Sequence, residues 1–127
     1  MDDALDVERG DAASRVIAEQ NDRFRMSWGA DGTVPGRIAM TSGIAALGAV
    51  AIPRLVAAVR AFAEFSEDND PWGQRDFGIV SVEQWGETIR VYWKLDLYDA
   101  DYTFGSDTPE DPERTRRVLT LLLPEEY

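Results

Sequence analysis

The sequence predicts an α+β fold: one small domain, a mostly antiparallel sheet of three to four strands with two helices packed on one face. Three observations predict it. Thr88 to Tyr98 alternates without a break, with Ile89, Val91, Trp93, Leu95 and Leu97 set against Thr88, Arg90, Tyr92, Lys94, Asp96 and Tyr98. That period of two marks a strand with one buried face. Two other segments, following Asp11 and Pro53, place their apolar residues at helical spacing instead. Finally, 127 residues at 44% hydrophobic and 29% charged suit a single globular domain able to bury a core.

Residues 1–10 are expected to be flexible. From Asp11 a helix is expected, because Ile17, Asn21, Phe24 and Trp28 fall on one stripe of a 3.6-residue period. Asp11 is its expected cap, and Gly29 with Asp31-Gly32 stops it. Residues 29–36 form a loop by turn chemistry, Arg37–Thr41 a short strand, and Ser42-Gly43 a turn. Ile44 to Ala51 is read as a short turn before the second helix. Pro53 suits that helix's first position, where its missing N–H costs nothing, and Leu55, Val56, Val59, Phe62 and Ala63 give it an apolar face.

Ser66–Asp76 carries proline and glycine and reads as a loop. Phe77–Glu83 reads as a strand that turns through Gln84-Trp85-Gly86 and pairs with Thr88–Tyr98 as an antiparallel hairpin. Gly105–Pro112 is again loop. In Val118–Leu123 periodicity does not separate helix from strand; six residues closed by Pro124 suit a strand.

The charge is one-sided. Glu64 to Glu113 contains 14 acids and 3 bases, while residues 1–63 carry 8 and 7, and residues 114–127 carry 2 and 3. This one stretch therefore matches the whole formal charge of −11. A one-sided charge gives the protein a directed field, which a uniform acidity does not. The bases are 12 arginines and a single lysine, Lys94. Arginine's planar fork suits pairing with carboxylates, so some arginines are expected to tie the two halves together.

Much chemistry is excluded. Histidine is absent, which removes Ser-His-Asp and Cys-His nucleophiles and the commonest general base near neutral pH. Cysteine is absent, so no disulfide framework exists and transition metals lose their usual ligands. The longest apolar run, Ile44–Ile52, is nine residues against the roughly 20 a bilayer span needs. The acidic start Met1-Asp2-Asp3 is unlike a secretory signal, so a cytoplasmic protein with no membrane contact is expected.

Asp68-Asn69-Asp70-Pro71-Trp72-Gly73 resembles the start of an EF-hand loop but has Trp72 at position 5 and Ile79 at position 12. A tight turn with capped N–H groups is the expectation, and no metal or cofactor site is assigned. Gly43–Gly48 has phosphate-loop glycine spacing but lacks the following Lys and Ser/Thr. Asp96 and Asp99, with Asp101 close behind and Lys94 as charge partner, form a carboxylate group that a magnesium-type hydrolase could use. The face Arg90, Tyr92, Lys94, Asp96, Tyr98 is either the wet side of the sheet or a recognition surface. Trp72 and Trp85 fall in turns, where an exposed tryptophan would favour binding.

The segments Gln20-Asn-Asp-Arg-Phe-Arg25, Asp68-Asn-Asp-Pro-Trp-Gly-Gln-Arg-Asp-Phe-Gly78, Trp93-Lys-Leu-Asp-Leu-Tyr-Asp99, Phe104-Gly-Ser106 and Thr115-Arg-Arg-Val-Leu-Thr120 together resemble a bacterial family of small proteins of unknown function, frequent on plasmids and mobile elements. The resemblance covers roughly residues 15–127 and implies a shared fold, with no activity to carry over. In that family's pattern a histidine commonly precedes the Asp-Phe-Gly, where this chain has Arg75.

The functional expectation is a non-enzymatic interaction protein whose anionic face docks on a basic protein surface. Its sharper form is a nucleic-acid mimic inhibiting a DNA-binding or defence complex; direct nucleic-acid binding is disfavoured by repulsion. The candidate contact residues are Asp68, Asp70, Trp72, Asp76, Lys94, Asp96, Tyr98, Asp99 and Asp101. The alternatives are the carboxylate hydrolase above and a small-molecule-binding domain with a pocket between helix and sheet.

Overall fold

The computed structural model describes residues 11–127 in full, and the expected flexibility of residues 1–10 lies outside them. In chain order the elements are helix α1 (Asp2–Ser27), strand β1 (Gly36–Met40), the one-turn helix α2 (Ser42–Ala45), helix α3 (Gly48–Ala61), strands β2 (Phe77–Gln84), β3 (Glu87–Tyr98) and β4 (Arg116–Leu122), and a 3-10 turn, Pro124–Glu126. The architecture is α+β, with three helices where two were expected.

The four strands lie in the order β1-β4-β3-β2. The pairs β2–β3 and β3–β4 are antiparallel and β1–β4 is parallel. Trp93 stands opposite Leu121 on one side and Gly78 on the other, so the uninterrupted alternation of β3 lays Val91, Trp93 and Leu95 along the middle of the core. Phe24 of α1 and Ala51, Leu55 and Val59 of α3 are buried with them. The hairpin turns through Trp85 and Gly86 alone, both at positive φ (56° and 76°), the two-residue geometry whose twist matches its strands.

Several boundaries differ from expectation for identifiable reasons. Asp11 lies inside α1 with helical backbone, so it is no cap. Ser42-Gly43 is the first turn of α2, capped by the Thr41 hydroxyl, which accepts from the Ile44 N–H. Gly48, at φ 89°, redirects the chain, and α3 starts there. Pro53 is therefore interior; the carbonyl its missing N–H leaves free belongs to exposed Ala49, where water reaches it. The run expected as Val118–Leu123 is a strand, shifted to Arg116–Leu122.

The helices cap one another. Buried Arg25 donates to the carbonyls of Val59 (2.7 Å) and Arg60 (3.1 Å) at the end of α3, and Arg60 Nε donates to the Met26 carbonyl (2.9 Å) at the end of α1. Arg25 also lies over the Trp93 ring, 5.2 Å from its centroid. At the C-terminus, Glu126 accepts from the Thr41 hydroxyl (2.6 Å) and from the N–H groups of Leu123 (2.8 Å) and Gly43 (3.1 Å). Those bonds hold the carboxyl below its usual range.

Candidate functional site

Two loops leave the sheet from the same end. Residues 99–115 join the end of β3 to the start of β4, while residues 62–76 enter β2 at Phe77, which pairs with Lys94 near the end of β3. Together these loops carry most of the acidic block.

One buried cation organises them. Arg117 projects from the helix-facing side of β4 and donates to Asn21 Oδ1 and Gln20 Oε1, each at 2.8 Å. With their oxygens turned to Arg117, these amides present their nitrogens outward. Asn21 Nδ2 donates to the Gln74 carbonyl and Gln20 Nε2 to that of Glu110, each at 2.9 Å. Each loop is thereby tied to α1. Among the described residues no carboxylate lies within ion-pair distance of Arg117, and burial pushes its guanidinium down to about 10.

The first loop is a network of its own backbone. Asn69 Oδ1 accepts from Ser66 N–H (2.8 Å), Asn69 Nδ2 donates to the Glu64 carbonyl (2.7 Å), and the Asp70 carboxylate accepts from Arg75 N–H (3.1 Å). Arg75 sits at φ 56°, and its guanidinium pairs with Asp22 at 2.7 Å. The residue standing where the resembled pattern has histidine thus fastens the loop to α1. Asp68 is exposed, and Trp72 is 81% exposed at the tip. In the second loop Asp99 Oδ1 accepts from the N–H groups of Asp101 (3.2 Å) and Thr103 (3.0 Å), and Tyr98 bridges to Gly105. Tyr102, at φ 58°, lies under the Arg37 guanidinium, 3.8 Å from ring centroid to Cζ.

The structure distributes the candidate residues unevenly. Asp70, Asp76 and Asp96 come close enough to interact; Asp76 is half-buried, and desolvation, aided by the other two charges, raises its carboxyl. Lys94 pairs with Asp96 at 3.1 Å on the open face of the sheet, the face that also carries Tyr98. Asp99 and Asp101 belong to the other loop, and Asp101 is exposed. Of the fourteen carboxylates between Glu64 and Glu113, ion pairs among the described residues engage Asp96 and Asp111, the latter with Arg114 at 3.7 Å. Arg23, Arg25 and Arg75 pair instead with Glu19, Asp22 and Asp31 of the N-terminal part. Among the described residues no three acidic side chains converge to hold a metal ion.

The open face is not itself acidic. Arg37, Arg90, Lys94 and Arg116 lie on it beside Glu83 and Asp96, so the acidity belongs to the loops at one end. Trp85, 71% exposed, stands at the opposite end in the hairpin turn. Sequence reasoning missed Gln20, Asn21 and Arg117 as the root of the loops. The available signal was an Arg at an inward position of β4 and an Asn on the apolar stripe of α1. Among the described residues no helix is long and apolar enough to cross a membrane.

The model of the family described as Protein of unknown function (DUF3768) matches residues 40–126. The segments from Asp68 onward fall inside that match and Gln20–Arg25 lies outside it. No curated protein and no solved structure matches.

Proposed function

We propose that this chain, which belongs to the DUF3768 family, is a non-enzymatic interaction protein that docks the acidic end of its sheet on a basic surface of a partner protein. One observation carries the reading: two loops, both tied to α1 through amides that Arg117 orients, hold carboxylates that, among the described residues, are almost all free of ion pairs. Arg23, Arg25 and Arg75 pair with acids of the N-terminal part instead, so most of the negative charge behind the field at that end is not offset by ion pairs among the described residues. Such a field speeds association and makes it salt-sensitive. Exposed Trp72 at the tip supplies an aromatic contact of the kind that carries binding energy.

In the sharper form the carboxylates stand in for nucleic-acid phosphates in a basic groove, a reading favoured by the mobile-element setting that the resemblance implies. The carboxylate-hydrolase reading has less support, because Asp96 is held by Lys94 and Asp99 by its own loop's N–H groups.

The test is co-purification of partners with tagged protein at low and high salt. Retention of a basic protein that collapses at high salt, and in the combined Asp68→Asn, Asp70→Asn, Asp99→Asn, Asp101→Asn variant, supports docking. Displacement of that protein by duplex DNA supports mimicry. Retention indifferent to both salt and the four substitutions overturns the proposal.

A further inference from the structure

Strand β2 is an edge of the sheet, and its outer side has no described backbone beside it. The phase of the ladder follows from Leu95 N–H, which donates to the Asp76 carbonyl at 2.8 Å. Gly78, Val80 and Val82, opposite Trp93, Val91 and Ile89, therefore direct both backbone groups at β3, and Phe77, Ile79, Ser81 and Glu83 direct theirs outward. Among the described residues no N–H or carbonyl of those four has a hydrogen-bond partner, and Ile79, Ser81 and Glu83 are exposed. β2 has no proline or lysine, the usual means of blunting an edge.

A groove of about 690 Å³ follows this edge between β2 and the end of α3, lined by Ala58, Ala61, Phe62, Glu64, Ile79 and Ser81. A cavity of about 210 Å³ shares Phe62, Glu64 and Ile79 with it and continues toward Asn69 and Phe77 at the acidic end. Small alanines on the helix side leave room for side chains that an added strand would point inward.

We propose that the β2 edge receives an extended, basic segment of the partner protein as a fifth strand, a proposal that rests on the partner being basic as argued above. Main-chain bonds to Ile79 and Ser81 supply affinity, as strand addition does generally. Alternate side chains of the incoming strand fall on the two faces. Apolar ones enter the groove against Ala61 and Phe62, and lysines or arginines on the other face meet Glu83. The charge decides between occupants: a second copy would bring two chains of net charge −11 together, whereas a cationic strand is attracted by the same field.

The probe is a synthetic ten-residue peptide alternating lysine and valine, with a glutamate–valine peptide as its counterpart, and the readout is residue-resolved amide exchange on the full chain. The lysine–valine peptide is expected to slow exchange of the Ile79 and Ser81 amides at least tenfold and to leave Gly78 and Val80 unchanged. Ser81→Pro removes one outward donor and should weaken binding at least tenfold while the Gly78 and Val80 amides stay protected. Ile79→Lys, which keeps the backbone, should weaken it as well. Absence of peptide binding overturns the proposal, and so does protection of the same amides in concentrated protein alone, which would make the occupant a second copy. If the peptide binds and only the loop residues respond, the edge proposal fails and docking by the acidic loops stands. If the glutamate–valine peptide protects the edge equally, the basic-partner reading fails.

Discussion

Arg117 Nε lies 2.8 Å from Asn21 Oδ1, a bond between residues 96 apart that joins the start of the last strand to the C-terminal part of the first helix. Its effect reaches past the pair. Because the amide oxygens of Asn21 and Gln20 face the guanidinium, their nitrogens are left for Gln74 and Glu110, and both acidic loops inherit their position. Arg117→Met fills similar space but strands two buried amide oxygens, so a loss of about 3 kcal/mol is expected in urea denaturation. Amide exchange in residues 66–76 and 99–115 should quicken before global unfolding. A variant whose loops keep wild-type protection would show that they stand without this anchor.

Asp76 gives a pH-dependent prediction. Desolvation raises its folded-state carboxyl, and Asp70 and Asp96 add to the rise, so the folded protein binds a proton more readily than the unfolded chain. Ionised Asp76 therefore costs stability above the raised value, and that cost is relieved as pH falls toward the ordinary carboxylate range near 4. Asp76→Asn should raise Tm at pH 7, and the gain should shrink on acidification to about pH 4. Paired thermal melts across that interval check the sign; a gain constant with pH would assign the effect to something other than titration.

The two arginines that cap opposite helices differ in burial, and their substitutions should differ accordingly. Arg25 is 2% exposed, caps the end of α3, stacks on Trp93 and pairs with Asp22. Arg25→Ala removes all of these and should cost about 3–5 kcal/mol. Arg60 is exposed and makes a single bond to Met26. Arg60→Ala should cost about 1 kcal/mol or less by denaturant titration.

The parts of the fold that local pattern determines were legible in the sequence. Ile89 to Leu97 alternates because one face of β3 meets the core, and Trp85-Gly86 adopts the positive φ angles that a two-residue turn demands. Long-range choices left no such trace. That β1 pairs with β4 in parallel follows from chain path, and a five-residue strand carries too little pattern to announce its neighbour. The acidic block was visible as a run of letters, and its gathering at one end depends on β3 ending beside the starts of β2 and β4. Arg117 lies one residue before the strand expected from Val118, so its place in step with inward Leu119 and Leu121 went unread, and its partner Asn21, 96 residues away, left no local trace. The outward hydrogen-bonding groups of β2 likewise needed the strand order, since any strand reads alike until its place in the sheet is known.

Gly78 tests how tightly the edge strand is fitted to the core. Its side-chain position faces the helices, where a Cβ would overlap the indole Nε1 of Trp93. Trp93 is fully buried and packs edge-on against Phe62, with ring centroids 5.5 Å apart, so it has little freedom to retreat. The substitution Gly78→Ala gains the roughly 0.5–1 kcal/mol by which alanine is preferred over glycine inside a strand. Overpacking of about 1–3 kcal/mol outweighs it. A net loss of about 1–2 kcal/mol is expected in urea, with a shift in tryptophan emission as the indole is displaced. Gly32→Ala is the control: nothing lies within 4 Å of the added carbon and φ is not positive, so it should be neutral or slightly stabilising. Equal stability for the two variants would mean that the core around Trp93 is looser than its close contacts require.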